Sequence, residues 1–163
     1  LICGLYEPSG GSIVCNGAIV ESVDRRAYQQ MFGAVFSDFC LFSPLFYSDD
    51  ASIEIAFSEF QETFGLDKNL LASDDLQNAG LSTGQRKRVA LALAILEDKP
   101  IYIFDEWASD QDSSFRKFFY ETILKELASK GKLIFVISHH EDYLHVADRV
   151  LEIECGKVRE LVQ

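Results

Sequence analysis

The chain predicts an α/β fold in which a mostly parallel sheet is flanked by helices, with an antiparallel β piece at one edge and a small helical subdomain over about residues 38–80. Three observations carry the prediction. Phe32–Phe36, Ile101–Phe104 and Leu133–Ile137 are short continuous apolar runs, the pattern of strands buried on both faces. Helical stretches separate these runs, as the crossover connections of parallel strands require. The second run stops abruptly at Asp105-Glu106 and the third at Ser138-His139-His140. Polar chemistry therefore gathers at the C-terminal edge of the sheet, where open parallel α/β sheets bind ligands.

At 163 residues, 48% of them apolar, the chain is one domain or most of one, with enough length for a substantial core. A formal charge of -11 argues against a nucleic-acid partner, which calls for basic stripes. Cys3, Cys15, Cys40 and Cys155 show no metal-ligand spacing and read as reduced core thiols, which fits a cytosolic compartment. No apolar run approaches the roughly 20 residues that cross a bilayer, and no signal peptide opens the chain.

Taken in order, Ser12–Cys15 and Ala18–Val20 flank Asn16-Gly17, a pair suited to a two-residue hairpin because both positions tolerate positive φ. Asp24 is placed to cap a short helix through Gln30, and the strand Phe32–Phe36 then delivers Ser37 and Asp38 to a loop. Phe36, Phe39, Phe42, Phe46 and Tyr47 surround Pro44, either as a local core or as a partner-docking groove. Residues 51–65 read as an amphipathic helix, followed by a polar stretch from Asp67 to Asn78. A second helix runs to Glu97 with Val89 and Leu91–Leu96 apolar nearly all round, so it is expected to be buried on several sides. Arg86, Lys87 and Arg88 within it read as a solvated charge run, with phosphate contact by Arg86 or Arg88 as the alternative. Ser113 or Ser114 starts a further helix ended by Gly131, and a terminal hairpin turns at Cys155-Gly156.

Two loops carry the candidate chemistry. Leu81-Ser82-Thr83-Gly84-Gln85 sets two hydroxyls and a glycine at a helix mouth, where unpaired N–H groups and the positive dipole end attract an anion such as phosphate. Asp105 and Glu106 follow the central strand, where carboxylates bind a metal, activate water, or merely cap the next turn. Of His139 and His140, neighbours on an extended chain, only one can face a common site.

LSTGQ resembles the signature loop of ATP-binding-cassette ATPases, with Thr83 in place of its first glycine. Ile101–Glu106 resembles their Walker B strand and catalytic glutamate, Ser109–Asp112 their D-loop, Ile137-Ser138-His139 their switch histidine, and Val35–Asp38 their Q-loop. The five matches keep the family's order over nearly the whole chain. The wording GLYEPSGG, AVFSDFCLF, LSTGQRKR and FDEWASDQD is most similar to exporters of siderophores and cyclic peptides whose membrane and ATPase domains are fused.

The resemblance implies a P-loop NTPase-like fold, with residues 1–163 forming a partial nucleotide-binding domain. It further implies ATP as ligand, Asp105 holding Mg²⁺, Glu106 orienting or deprotonating the attacking water, and His139 sensing the γ-phosphate. Ser82, Thr83, Gly84, Gln85 and Asp112 would meet nucleotide across a head-to-tail dimer of two such domains, coupled to a transmembrane domain at the cytoplasmic face of the membrane. Ser37 stands where the family has glutamine, and its shorter hydroxyl puts direct metal ligation in doubt. No G-x-x-x-x-G-K-[ST] occurs, so the chain reads as a fragment lacking the P-loop and inactive alone. A soluble cassette ATPase outside transport and a non-catalytic binding module on the same fold are the competing readings.

Overall fold

The computed structural model describes residues 1–20, 24–38, 51–66 and 80–161. A short antiparallel pair comes first, β1 (Val14–Cys15) with β2 (Ala18–Ile19), closed by Asn16 at φ 50° and Gly17 at φ 80°. That turn is the one its sequence predicts. In α1 (Arg25–Gln29), Asp24 occupies the N-cap position, but its side chain makes no capping hydrogen bond, contrary to expectation.

The parallel sheet has the order β3 (Phe32–Val35), β4 (Ile101–Asp105), β5 (Leu133–Ile137). Its register pairs Val35 with Phe104, and Phe104 with Val136. All three strands run the same way, so residues 36–38, 105–106 and 138–139 leave the sheet at one edge. β4 is central, and Tyr102 and Phe104 are fully buried. β5 differs from its expected burial. Among the described residues it pairs only with β4, and Leu133 and Ile137 are 53% and 44% exposed, as befits a strand without a second neighbour there.

Helices α2 (Ala51–Phe64) and α3 (Thr83–Leu96) pack together, and α3 lies against β3. The expected long helix after Asp112 is α4 (Ser113–Phe118), one π turn over Phe119–Ile123, and α5 (Leu124–Ser129), ended by Gly131 at φ 75°. The main core joins Phe57 and Phe64 of α2, Val89, Leu91 and Ala92 of α3, Phe104 of β4, and Trp107, Phe115 and Phe119. Each such fully buried large side chain contributes on the order of 1.5–3 kcal/mol by removal from water. A smaller cluster of Cys3, Tyr28, Phe32, Ile101 and Ile103 fills the opposite face. The chain closes with the antiparallel pair β6 (Val150–Glu154) and β7 (Lys157–Leu161), turning at Cys155 and Gly156 as predicted.

Among the described cysteines, all free thiols, Cys3 is buried and Cys15 partly so, whereas Cys155 is exposed at the hairpin turn rather than in a core. Phe39, Phe42, Pro44, Phe46 and Tyr47, with the polar stretch 67–78, lie outside the described residues. No helix of the described residues is long and apolar enough to cross a membrane.

Candidate functional site

Glu106 stands one residue beyond β4 in the left-handed region, at φ 48° and ψ 30°. A non-glycine residue there costs about 1–2 kcal/mol and persists only where its surroundings hold it. The backbone supplies that hold on both sides. Glu106 N donates to Ile137 O at 3.0 Å, tying the residue to the end of β5. Glu106 O accepts from Lys87 Nζ at 3.0 Å and from Ser109 Oγ at 2.7 Å. The carboxylate then reaches His139, whose Nε2 lies 3.0 Å from Glu106 Oε1. Parallel register of β4 and β5 makes this meeting possible, since Asp105 pairs with Ile137 and the two strand ends lie side by side.

His139 is largely exposed, and His140 is less so. His140 is half-buried rather than a surface residue, and burial is the main cause holding its pKa below the usual histidine range; its backbone N donates to Ser138 Oγ at 3.0 Å. Ser37 is exposed two residues past β3, at the same sheet edge.

Ser82 and Gln85 form a reciprocal capping box at the start of α3. Ser82 Oγ accepts from Gln85 N at 3.2 Å, and Gln85 Oε1 accepts from Ser82 N at 2.9 Å. Both side chains therefore shape the helix mouth themselves. Thr83 Oγ1 accepts from Arg86 at 3.5 Å, and Gly84 O accepts from the buried Gln111 Nε2 at 3.1 Å.

The charge run that follows is not a solvated face. Lys87 is 2% exposed and pairs with Asp110 at 2.7 Å. Arg88 donates to Gln111 Oε1, to Phe64 O at the end of α2, and to Asp112 Oδ2 at 2.6 Å, and stacks over the Phe115 ring. A helix buried on several sides leaves no solvent for the cations its sequence places inward, so they bond the turn beneath. Asp112 Oδ1 also caps α4 through Ser114 N at 3.1 Å and Phe115 N at 2.9 Å. Its hydrogen bonds from Ser114 and Phe115, then the Arg88 charge, lower its pKa to about 2. Sequence reasoning passed over Trp107, 1% exposed, whose Nε1 donates to Lys87 O at 2.8 Å. An indole directly after two acids, in a chain with one tryptophan, was the available signal.

The structure thus joins Glu106 to His139 directly, and ties residues 82–88 to the turn 106–112 through Gly84, Lys87, Arg88 and Gln111. Among the described residues no group of three His, Cys, Asp or Glu side chains forms a metal cage. Asp105 is half-buried at the end of β4.

The family description "ABC transporter" matches residues 1–109. The ATP-binding protein SyrD of Pseudomonas syringae pv. syringae is 41% identical over 165 residues, covering 96% of this chain and 28% of that protein. The mycobactin import ATP-binding/permease protein IrtB of Mycobacterium bovis is 27% identical over 98% of this chain and 29% of its own length. The chain therefore spans less than a third of the curated relatives it matches. Among solved structures, the ATP-binding cassette MJ0796, a dimer bound to ADP and Pi in a post-hydrolysis state, superposes with a TM-score of 0.78 over 99% of this chain and 78% of that one. At 20% sequence identity the likeness is one of fold.

Proposed function

This chain belongs to the ABC transporter family, and on that premise we propose that it is the nucleotide-binding domain of an exporter in which ATP binding and hydrolysis drive release of a peptide- or siderophore-like compound across a membrane. The observation that carries the catalytic half is the 3.0 Å contact between Glu106 and His139 at the shared ends of β4 and β5. A carboxylate aimed from a fixed backbone, next to an imidazole, suits orientation and deprotonation of an attacking water beside a γ-phosphate. Glu106 takes the water's proton at its carboxylate, and His139 holds the carboxylate's aim and hydrogen-bonds the phosphate. Mg²⁺ held by Asp105 would neutralise charge on the phosphate oxygens. Ser82, Thr83, Gly84 and Gln85 would face the nucleotide of a second, head-to-tail copy, with Asp112 near that interface and Ser37 beside the attacking water.

The match of residues 1–109 to the ABC transporter family, with the similarity to IrtB, an ATP-binding/permease protein, supports the transporter reading over a soluble ATPase or a non-catalytic module. IrtB is a protein whose name records import, so direction rests on the resemblance of the motif wording to exporters. Steady-state phosphate release by the full-length protein tests the site. Glu106→Gln should keep trapped-nucleotide binding and lose most turnover, because the amide preserves shape without the base; wild-type turnover in this variant would move catalysis elsewhere.

A further inference from the structure

Lys87 is the one charged side chain among the described residues that is buried in the core, and nothing in the chemistry above uses it. Its ammonium has three protons, and three acceptors surround it: Glu106 O at 3.0 Å, Ser109 Oγ at 3.2 Å and Asp110 Oδ2 at 2.7 Å. A buried cation is tolerated where each donor is satisfied and a counter-charge is present, and both conditions hold here. Ser109 Oγ in turn donates to the same Glu106 carbonyl, so the Lys87 contacts close into a small ring. Trp107 Nε1 grips the Lys87 backbone from the other side, donating to Lys87 O at 2.8 Å. The helix that begins at the Ser82–Gln85 cap is thereby bolted, one turn in, to the carbonyl of the residue that carries the catalytic carboxylate.

The conformation of Glu106 makes that bolt consequential. Its φ of 48° is one a glutamate leaves readily unless held, and with the N–H fixed a change in φ swings the carbonyl carbon and the Cα–Cβ bond that aims the carboxylate at His139 together. Glu106 N is fixed by β5 regardless of α3, whereas Glu106 O, bonded within its own turn by Ser109 N at 3.3 Å and Ser109 Oγ at 2.7 Å, is joined to α3 through Lys87. Among the bonds that tie α3 to this turn, the Lys87 ammonium is the one that reaches Glu106 itself, so a shift of α3, such as one caused by a ligand at its N-terminus, is passed to that residue's carbonyl. We propose that Lys87 is a positioning residue that couples the α3 helix mouth to the aim of Glu106. The proposal rests on the reading of Glu106 as the residue that acts on water.

The test is ATP turnover by the full-length protein carrying Lys87→Met, Asp110→Asn or Glu106→Gln, and the Lys87→Met/Glu106→Gln pair. Methionine keeps length and apolar bulk and removes the donors, while Asp110, 48% exposed in its side chain, is left to water. Lys87→Met should lower kcat about 10- to 100-fold with KM for ATP within about twofold, the pattern of an interaction used only in the transition state. Asp110→Asn, which keeps the core intact if Lys87→Met fails to fold, should lower kcat several-fold in the same manner. In the Glu106→Gln background Lys87→Met should cost nothing further, because its effect runs through the missing carboxylate. Unchanged kcat in Lys87→Met and Asp110→Asn while Glu106→Gln is dead overturns the coupling and spares the parent reading. Equal losses from Lys87→Met in both backgrounds overturn it as well, since they mark a merely structural lysine. Full turnover in Glu106→Gln removes the parent reading and the coupling with it.

Discussion

A Cβ placed on Gly84 would stand 2.9 Å from the carbonyl oxygen of Asp110, so the start of α3 and the acidic turn touch backbone to backbone. Real Cβ atoms do not approach that closely, and a carbonyl cannot rotate away as a side chain can. Gly84→Ala gains about 1 kcal/mol of helix propensity but overpacks a contact that typically costs about 1–3 kcal/mol. A net loss in melting temperature is expected, with lower ATP turnover as the turn carrying Glu106 is pushed aside. A raised melting temperature with full activity would mean the turn yields freely, which its bonds to Gly84 and Lys87 oppose.

Ser82 is predicted to do two separable things. Its capping bond from Gln85 N contributes about 1 kcal/mol to α3, so Ser82→Ala should lower thermal stability modestly. Ser82→Arg should in addition block ATP-driven association of two domains, because a bulky cation fills the helix mouth, while leaving ATP binding to a single domain nearly intact. Light scattering in a Glu106→Gln background reads the difference. An ATP-dependent dimer that survives Ser82→Arg would remove the composite site from the proposal.

For Asp112 the prediction is a pH dependence. Bonds from Ser114 and Phe115, with Arg88 beside it, lower its pKa to about 2, against about 3.9 for an unperturbed aspartate. The folded state therefore holds the charged form more firmly than the unfolded state. Stability from this group is fully present above pH about 4 and is lost as pH falls toward about 2. Asp112→Asn keeps a capping side chain and deletes the charge. Its melting temperature should lie below wild type near neutrality, and the gap should close between pH about 4 and about 2. A gap that stays constant over that window would assign the effect to shape, not charge.

The parts of this architecture that periodicity governs were legible in advance. The Ile101–Phe104 run announced a strand covered on both faces, and Asn16-Gly17 and Cys155-Gly156 announced tight hairpins. The end of β4 and the end of β5 followed from where apolar runs stop, whereas the direct contact of Glu106 with His139 did not. What periodicity does not carry is partner choice. A run of three cations reads as solvent-facing because charges are usually hydrated, yet α3 is covered on the side where Lys87 projects, and acceptors some 20 residues later in the chain make burial tolerable. The capping of α4 by Asp112 and its pairing with Arg88 are likewise partner choices that periodicity does not reveal. Burial of β5 was overread, since a continuous apolar run says that a strand is apolar, not that both its edges are paired.

The last prediction follows from Trp107. Its ring lies 4.4 Å from that of Phe119 and 5.9 Å from that of Phe115, between the π turn and α3, and its Nε1 donates to Lys87 O. Trp107→Ala empties a fully enclosed indole volume, for which core truncations cost about 3–5 kcal/mol. Trp107→Phe keeps an aromatic ring against Phe119 and loses one hydrogen bond of about 1 kcal/mol net, because Lys87 O belongs to the α3 ladder and keeps that partner. The two variants should therefore differ in melting temperature in the same order, Ala far below Phe and Phe slightly below wild type. Turnover separates packing from grip. If the indole matters only as volume, Trp107→Phe turns over at the wild-type rate; if its bond to Lys87 O fixes the lysine under Glu106, kcat falls several-fold while KM for ATP holds. We expect the fall, since the lysine is bolted at both its backbone and its ammonium and loosening either end weakens the hold of α3 on the Glu106 carbonyl.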